Sequence, residues 1–385
     1  MTSLSIEERA ELGAAARGLL TQQSSSERVR TVTAEAPGYD TALWDQMVEL
    51  GFTTIHVPER YGGSGTGFGE LAIVMLELGR GIVPSPFLAS AVLASSALSL
   101  ADNESLAAEV LEPIVAGASL GAVAFASTGG TYEPSLLSAR WERTGGSLRL
   151  SGSSGFVVDG AIAGALVVAA IDAEGTVALL AVDPALPGVT VEATPLMDVT
   201  QRMATVTFDG VELAEDRLLA EPGARSAELL DQILAIGSVA AGTDAAGAIE
   251  KVLESAVEYA GERQQFGKPI GSFQAVKHHC ANMAMAVETC RAAARAAADS
   301  LDGDPAGWAT AGAICASHIG PRATEVCGIG LRVHGGIGYT WEHDSHLYLK
   351  RVKLDELLFG TPSWHRRRLA RTVMGPAGGT EKASA

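Results

Sequence analysis

The spacing of apolar and polar positions changes character twice along the chain. Over residues 1–120 it is helical. Asp40 stands where it can cap a helix running to Leu50, and Gly51 sits where a C-terminal glycine belongs. Leu71, Val74, Met75 and Leu78 recur at the spacing of one helix face, after a glycine-rich turn at Tyr61–Gly67. Over residues 121–222 the period shortens. Ser147–Leu150, Leu166–Ile171, Thr176–Val182, Val189–Ala193 and Ala204–Phe208 read as short strands. Turn clusters separate them at Gly145-Gly146, Glu174-Gly175 and Pro184–Gly188. Such a run predicts a small antiparallel sandwich or barrel. Over residues 223–375 the helical period returns. Ile249, Val252, Leu253, Ala256 and Val257 mark one face, and Glu250, Lys251, Glu254 and Glu258 occupy the others. The alanine-rich stretch Ala281–Ala298 reads as a closely packed helix, and residues 376–385 as a frayed tail. Helices, then strands, then helices predict an α+β fold of three domains with segregated layers.

Composition narrows the partners. The 385 residues carry a formal charge of −17, which argues against a nucleic-acid backbone or an anionic membrane. Hydrophobic residues make up 47% and aromatics 5%, so the core is predicted to be aliphatic. No membrane span is expected, since the apolar run Ala161–Ile171 is short and bounded by Asp159 and Asp172. The N-terminal residues lack the basic-then-apolar order of a secretory signal. Cys280, Cys290, Cys315 and Cys327 form no Cys-x-x-Cys pair, which fits a reducing, cytoplasmic setting.

Most motifs dissolve on inspection. Gly117–Gly121 matches the spacing of a nucleophile elbow, but a helix precedes it and a strand follows, the reverse of what an elbow needs. His278, His279 and Cys280 point in different directions from a helix, and His343 with His346 reads as surface, so no metal site is expected. Arg366–Arg368 with Arg371 reads as a solvated helix end or as partners for the chain's own carboxylates. Two segments stand apart. Glu262–Gln274 combines one fixed cation, Arg263, with Phe266 and Gln274 around a glycine–proline turn. Arg263 suits a phosphate, Phe266 an aromatic ring and Gln274 a carbonyl, although composition alone favours a helix–helix corner. Arg332–His343 holds Gly335, Gly336 and Gly338, which allow close approach to backbone.

Together these segments resemble the acyl-CoA dehydrogenase family. Val57–Gly65 resembles its N-domain turn, and Val206–Leu213 the exit of its β domain. Arg-x-x-Phe-Gly…Gln and His-Gly-Gly-Ile-Gly-Tyr are specific in combination. The resemblance implies an N-terminal helical domain, a middle antiparallel β domain and a C-terminal four-helix bundle. It also implies FAD, an acyl-CoA thioester, a dimer or dimer of dimers, and an electron-transfer acceptor. In that family Arg263, Phe266, Gln274 and the backbone at Gly335 and Gly336 correspond to groups that reach the FAD of a neighbouring subunit. Arg332 stands where the family usually has Gln.

The pattern breaks at the chemistry. The family removes an α-proton with a carboxylate in a dry pocket while hydride leaves for the flavin. Phe359 and Gly237 stand at its two known positions, and Ser238 where an Arg often meets the CoA arm. Ala126–Pro134 and Phe156–Gly160 depart from the stretches that hold the isoalloxazine ring from its own subunit. The losses resemble the base-lacking subunit of heteromeric, α2β2 actinobacterial members acting in steroid side-chain breakdown, expected to complete a catalytic partner's FAD site. The alternatives are a self-sufficient homo-oligomer with a relocated base, with Asp244, Asp231 and Glu356 as candidates, or a scaffold that keeps only the fold.

Overall fold

The computed structural model describes residues 4–374. The N-terminal unit is helical: α1 (Ile6–Gln23), α2 (Ser26–Ala34), α3 (Thr41–Glu49), α4 (Phe68–Arg80), α5 (Ser95–Ser99) and α6 (Glu104–Val115). A wide-turned helical segment, Phe87–Ala94, leads into α5 and is buried along its whole length. Side-chain caps start these helices. Ser5 and Glu8 satisfy each other's amides at α1, and Asp40 accepts from Ala42 and Leu43 at α3. Gly51 then takes φ +72°, which releases the chain from α3.

Seven strands follow: β1 (Gly121–Ala124), β2 (Ala139–Thr144), β3 (Ser147–Val158), β4 (Ala165–Ile171), β5 (Val177–Val182), β6 (Val189–Thr194) and β7 (Met203–Ala214). They form one sheet in the order β1-β4-β2-β3-β7-β6, with β5 paired to β4. An entirely antiparallel domain is therefore corrected to a mixed one, because β4 runs parallel to β1 and to β2. The β2–β3 hairpin lies between β1 and β4 in sequence and supplies the long crossover that a parallel pair needs. β1 and β2 carry too little contrast to be seen in the sequence, and β3 and β7 each extend to 12 residues.

The continuous apolar run of β4 has a plain cause, since both of its faces are buried. Leu166, Val168 and Ala170 join a core inside the sheet with Trp141, Leu148 and Phe208. Val167, Ala169 and Ile171 turn to the helices.

The C-terminal unit is α7 (Ala224–Glu262), α8 (Gln274–Leu301), α9 (Trp308–His334), α10 (Ser345–Asp355) and α11 (Pro362–Met374). α7 is central, packing on α9, α8 and α4. Its small residues permit backbone contact: a side chain on Gly247 would strike the Leu76 carbonyl, and one on Gly79 the Asp244 carbonyl. The predicted face of α7 holds for Ile249, Val252 and Ala256, but Val257 is half exposed. By length and composition α7 alone among the described helices could cross a membrane, with mean hydropathy 1.3 over an 18-residue window. That window is wholly buried, as befits a core helix. The tail at 376–385 lies outside the described residues.

Candidate functional site

The two positions where a carboxylate base was sought meet at one point. Phe359 sits in the turn between α10 and α11, with φ +62°, followed by Gly360 at φ +118°. Its ring is 1% exposed and stacks on Phe125, at 5.8 Å between centroids. Tyr132 packs on both rings, 5.3 Å from Phe125 and 5.9 Å from Phe359. A side-chain carbon on Gly237 of α7 would lie 3.0 Å from the Phe359 ring. The aromatic cluster thus fills the space into which either carboxylate would project.

Its edges are tied down. The Tyr132 hydroxyl lies against the Phe359 backbone, and burial pushes its pKa up to about 12, so it is no base at neutral pH. His365 of α11 places Nε2 3.1 Å from the Phe359 carbonyl. That contact is a hydrogen bond only if Nε2 carries the proton. Burial lowers the His365 pKa to about 4, which keeps the ring neutral. The indole N–H of Trp364 donates to Glu133 at 3.3 Å, with Arg368 over the indole face.

The three candidates for a relocated base are each paired with another group. Asp244 is bidentate with Arg351, at 2.7 and 2.9 Å. Asp231 pairs with Arg368 at 3.2 Å. Glu356 accepts from Thr324 at 2.6 Å and from Lys353 at 2.9 Å. Each is engaged with a donor, and none belongs to the Phe359 cluster. Ser238 is buried and donates to Leu234 of its own helix at 2.8 Å, so it offers nothing to a phosphate arm. Among the described residues no group of three His, Cys, Asp or Glu converges as a metal site.

The stretches that would provide this chain's own half of a flavin site, Ala126–Pro134 and Phe156–Gly160, turn several of their polar groups inward. Their donors are spent locally. The Ser127 amide donates to the Thr131 carbonyl and the Thr131 amide to Ser127 Oγ. The Thr128 amide donates to Ser138 Oγ, and Ser154 Oγ to the Ala126 carbonyl. Phe156, at φ +53°, lays its ring against Gly130. Asp159 is held by Arg202 at 2.7 Å.

The outward-facing half is different. Arg263 ends α7, and Gln264-Gln265 pairs with Lys268-Pro269 as a short hairpin that leads into α8 at Gln274. Phe266 at the tip is 90% exposed, and Arg263 and Gln274 are exposed with it. Phe273 props the tip edge-on at 6.0 Å, with Lys268 over its face. Gly335 and Gly336 follow α9, and the space beside both is open. Their neighbour His334 packs at a tilt on Tyr259, 4.9 Å between ring centroids, and the Tyr259 carbonyl accepts the Arg263 amide. Hairpin base and glycine turn therefore share one end of the bundle. Arg332 is exposed and donates to the Gly328 carbonyl. A cation, two amide- or ring-binding groups and bare backbone at this end suit a flavin nucleotide presented from outside.

Sequence reasoning named Phe359 and Gly237 separately but missed Phe125, Tyr132, Trp364 and His365 around them. No local signal gathers them, because Phe125 and Tyr132 lie more than 200 residues before Phe359 and no aromatic flanks Gly237 in sequence.

Comparison with known proteins covers nearly the whole chain. Residues 6–118 match the model of the acyl-CoA dehydrogenase N-terminal domain, and residues 228–374 that of the C-terminal domain. The acyl-CoA dehydrogenase IpdE2 of Mycobacterium tuberculosis is 31% identical over 368 residues, 95% of this chain and 98% of that protein. A chain of the ChsE4-ChsE5 complex from Mycobacterium tuberculosis superposes with a TM-score of 0.86 at 28% identity, covering 98% of this chain and 100% of that one. A chain of a Tcur3481-Tcur3483 steroid ACAD variant also gives 0.86, at 26% identity, covering 96% of this chain and 98% of that one.

Proposed function

Since this chain belongs to the acyl-CoA dehydrogenase family of FAD-dependent oxidoreductases, we propose that within it the chain is the non-catalytic subunit of a heteromeric enzyme. Its partner, a base-bearing chain of the same family, would bind the acyl-CoA and the flavin. When bound, the flavin accepts the hydride from the β-carbon. This chain's part is to close the partner's flavin site with Arg263, Phe266, Gln274 and the Gly335-Gly336 backbone. The observation that carries this reading is the Phe359 ring seated over Gly237. One plug occupies both base positions and leaves no carboxylate at either, while the outward contacts stay open.

Two observations support the assembly. Phe266 has almost its whole side chain in solvent, and an exposed aromatic on a propped hairpin tip is the kind of anchor that a partner buries. Two of the similar solved structures name a two-component assembly, and one of these names a steroid ACAD. On that ground we place the substrate of the assembled enzyme among steroid CoA thioesters.

The test is co-expression with a base-bearing family member encoded beside it. The proposal expects a stable complex whose acyl-CoA oxidation requires both chains. Turnover by this chain alone would overturn it.

A further inference from the structure

Three acids and one guanidinium are sealed together where the β domain, α7 and α10 meet. Asp198, Asp244, Asp355 and Arg351 are all under 9% exposed. Arg351 spends Nε and Nη2 on Asp244 and turns Nη1 to Thr200, whose hydroxyl in turn binds Asp198. Neither oxygen of Asp355 has a hydrogen-bond donor among the described residues, nor has Oδ2 of Asp198. Asp244, held by Arg351, is the carboxylate that faces Asp355 in this cluster. Two carboxylates repel, so facing each other favours a proton on one of them. A buried ionised carboxylate without a donor is costly, so the bare Asp355 oxygens point the same way.

We propose that Asp355 keeps its proton beside Asp244, making the Asp198–Asp244–Arg351–Asp355 cluster a pH-sensitive clasp between the β domain, α7 and α10. The groups facing Asp355 are Asp244 from α7, Arg351 from its own helix, Asp198 from the loop before β7, and Cys327 from α9, whose thiol burial keeps neutral. Loss of the proton to solvent leaves three carboxylates against one guanidinium. Burial first, and Asp244 second, hold the Asp355 carboxyl well above the ordinary carboxylate range. The sign follows. Above the ordinary Asp pKa the unfolded chain releases this proton and the folded chain keeps it. The unfolded state then binds fewer protons, and stability falls as pH rises. α10 runs directly into the turn that bears Phe359, so loosening the clasp loosens the plug.

The experiment is thermal unfolding of the full chain from pH 5 to pH 9, as wild type and as Asp355→Asn, which mimics the protonated acid. The proposal expects the Asn variant to gain on wild type steadily as pH rises. An equal loss at every pH would overturn it. Infrared spectroscopy of the wild type at neutral pH provides a second reading that needs no variant to fold. A protonated-carboxyl carbonyl band that bleaches on alkalinisation supports the retained proton. No such band contradicts it.

Discussion

The Phe359 ring lies directly over Gly237, so close that a Cβ added there would stand 3.0 Å from it. The family resemblance expects a carboxylate at one of these two positions. Here the room is taken by a ring that also packs on Phe125 and Tyr132. Two losses that look independent in the sequence are one structural event. A base restored at Gly237 would collide with Phe359, and a base restored at Phe359 would stand unpaired among aromatic rings.

Phe359→Ala should empty the centre of this cluster. Truncating a fully buried Phe costs about 3–5 kcal/mol, read as a lower urea midpoint at an unchanged slope. Phe359→Glu should be destabilised as well, through an unpaired buried carboxylate, and should leave the isolated chain inactive toward acyl-CoA. Turnover by the isolated Glu variant would mean that a usable pocket persists beside Gly237.

Phe266→Ala should separate stability from assembly. The side chain is 90% exposed, so its loss should move the unfolding free energy of the isolated chain by no more than about 0.5 kcal/mol. In the complex the same substitution should speed flavin release about tenfold or more, roughly 1.4 kcal/mol of binding. Flavin fluorescence after dilution measures it. A large stability change with unaltered flavin retention would make the hairpin a structural corner.

Acid should weaken the plug through His365. The ring is neutral in the fold, with its pKa lowered to about 4 by burial first and by Arg368 second. Between pH 6.5 and pH 4 the unfolded chain takes up a proton that the folded chain refuses, so stability falls with pH across that window. The full difference corresponds to about 3 kcal/mol at the acid end of the window. His365→Gln keeps a donor for the Phe359 carbonyl and should flatten the acid limb of a stability–pH curve. An unchanged acid limb would show that other groups carry it.

How much of this was legible in sequence depends on how local each signal was. The Asp40 cap, the Gly51 stop and the Gly145-Gly146 turn, with φ +62° and +92°, are short-range and were readable. β1 and β2 were not, because Gly121–Ala124 is a four-residue strand of small residues and Ala139–Thr144 is half charged. The hairpin residues Arg263, Phe266 and Gln274 stood out because they lie in one continuous segment. The plug did not. It brings together Phe125, Tyr132, Gly237, Phe359 and His365 from separate stretches of the chain, and no local spacing records that meeting. Asp244 looked like a spare acid only because its partner Arg351 is 107 residues away.

The central claim is that this chain serves a neighbour's flavin and holds none of its own, and the visible spectrum of the purified chain tests it most directly. The account predicts a colourless protein with far less than one FAD per chain, and a yellow complex once the base-bearing partner is present. A lone chain that is yellow, with one FAD per subunit, would contradict it.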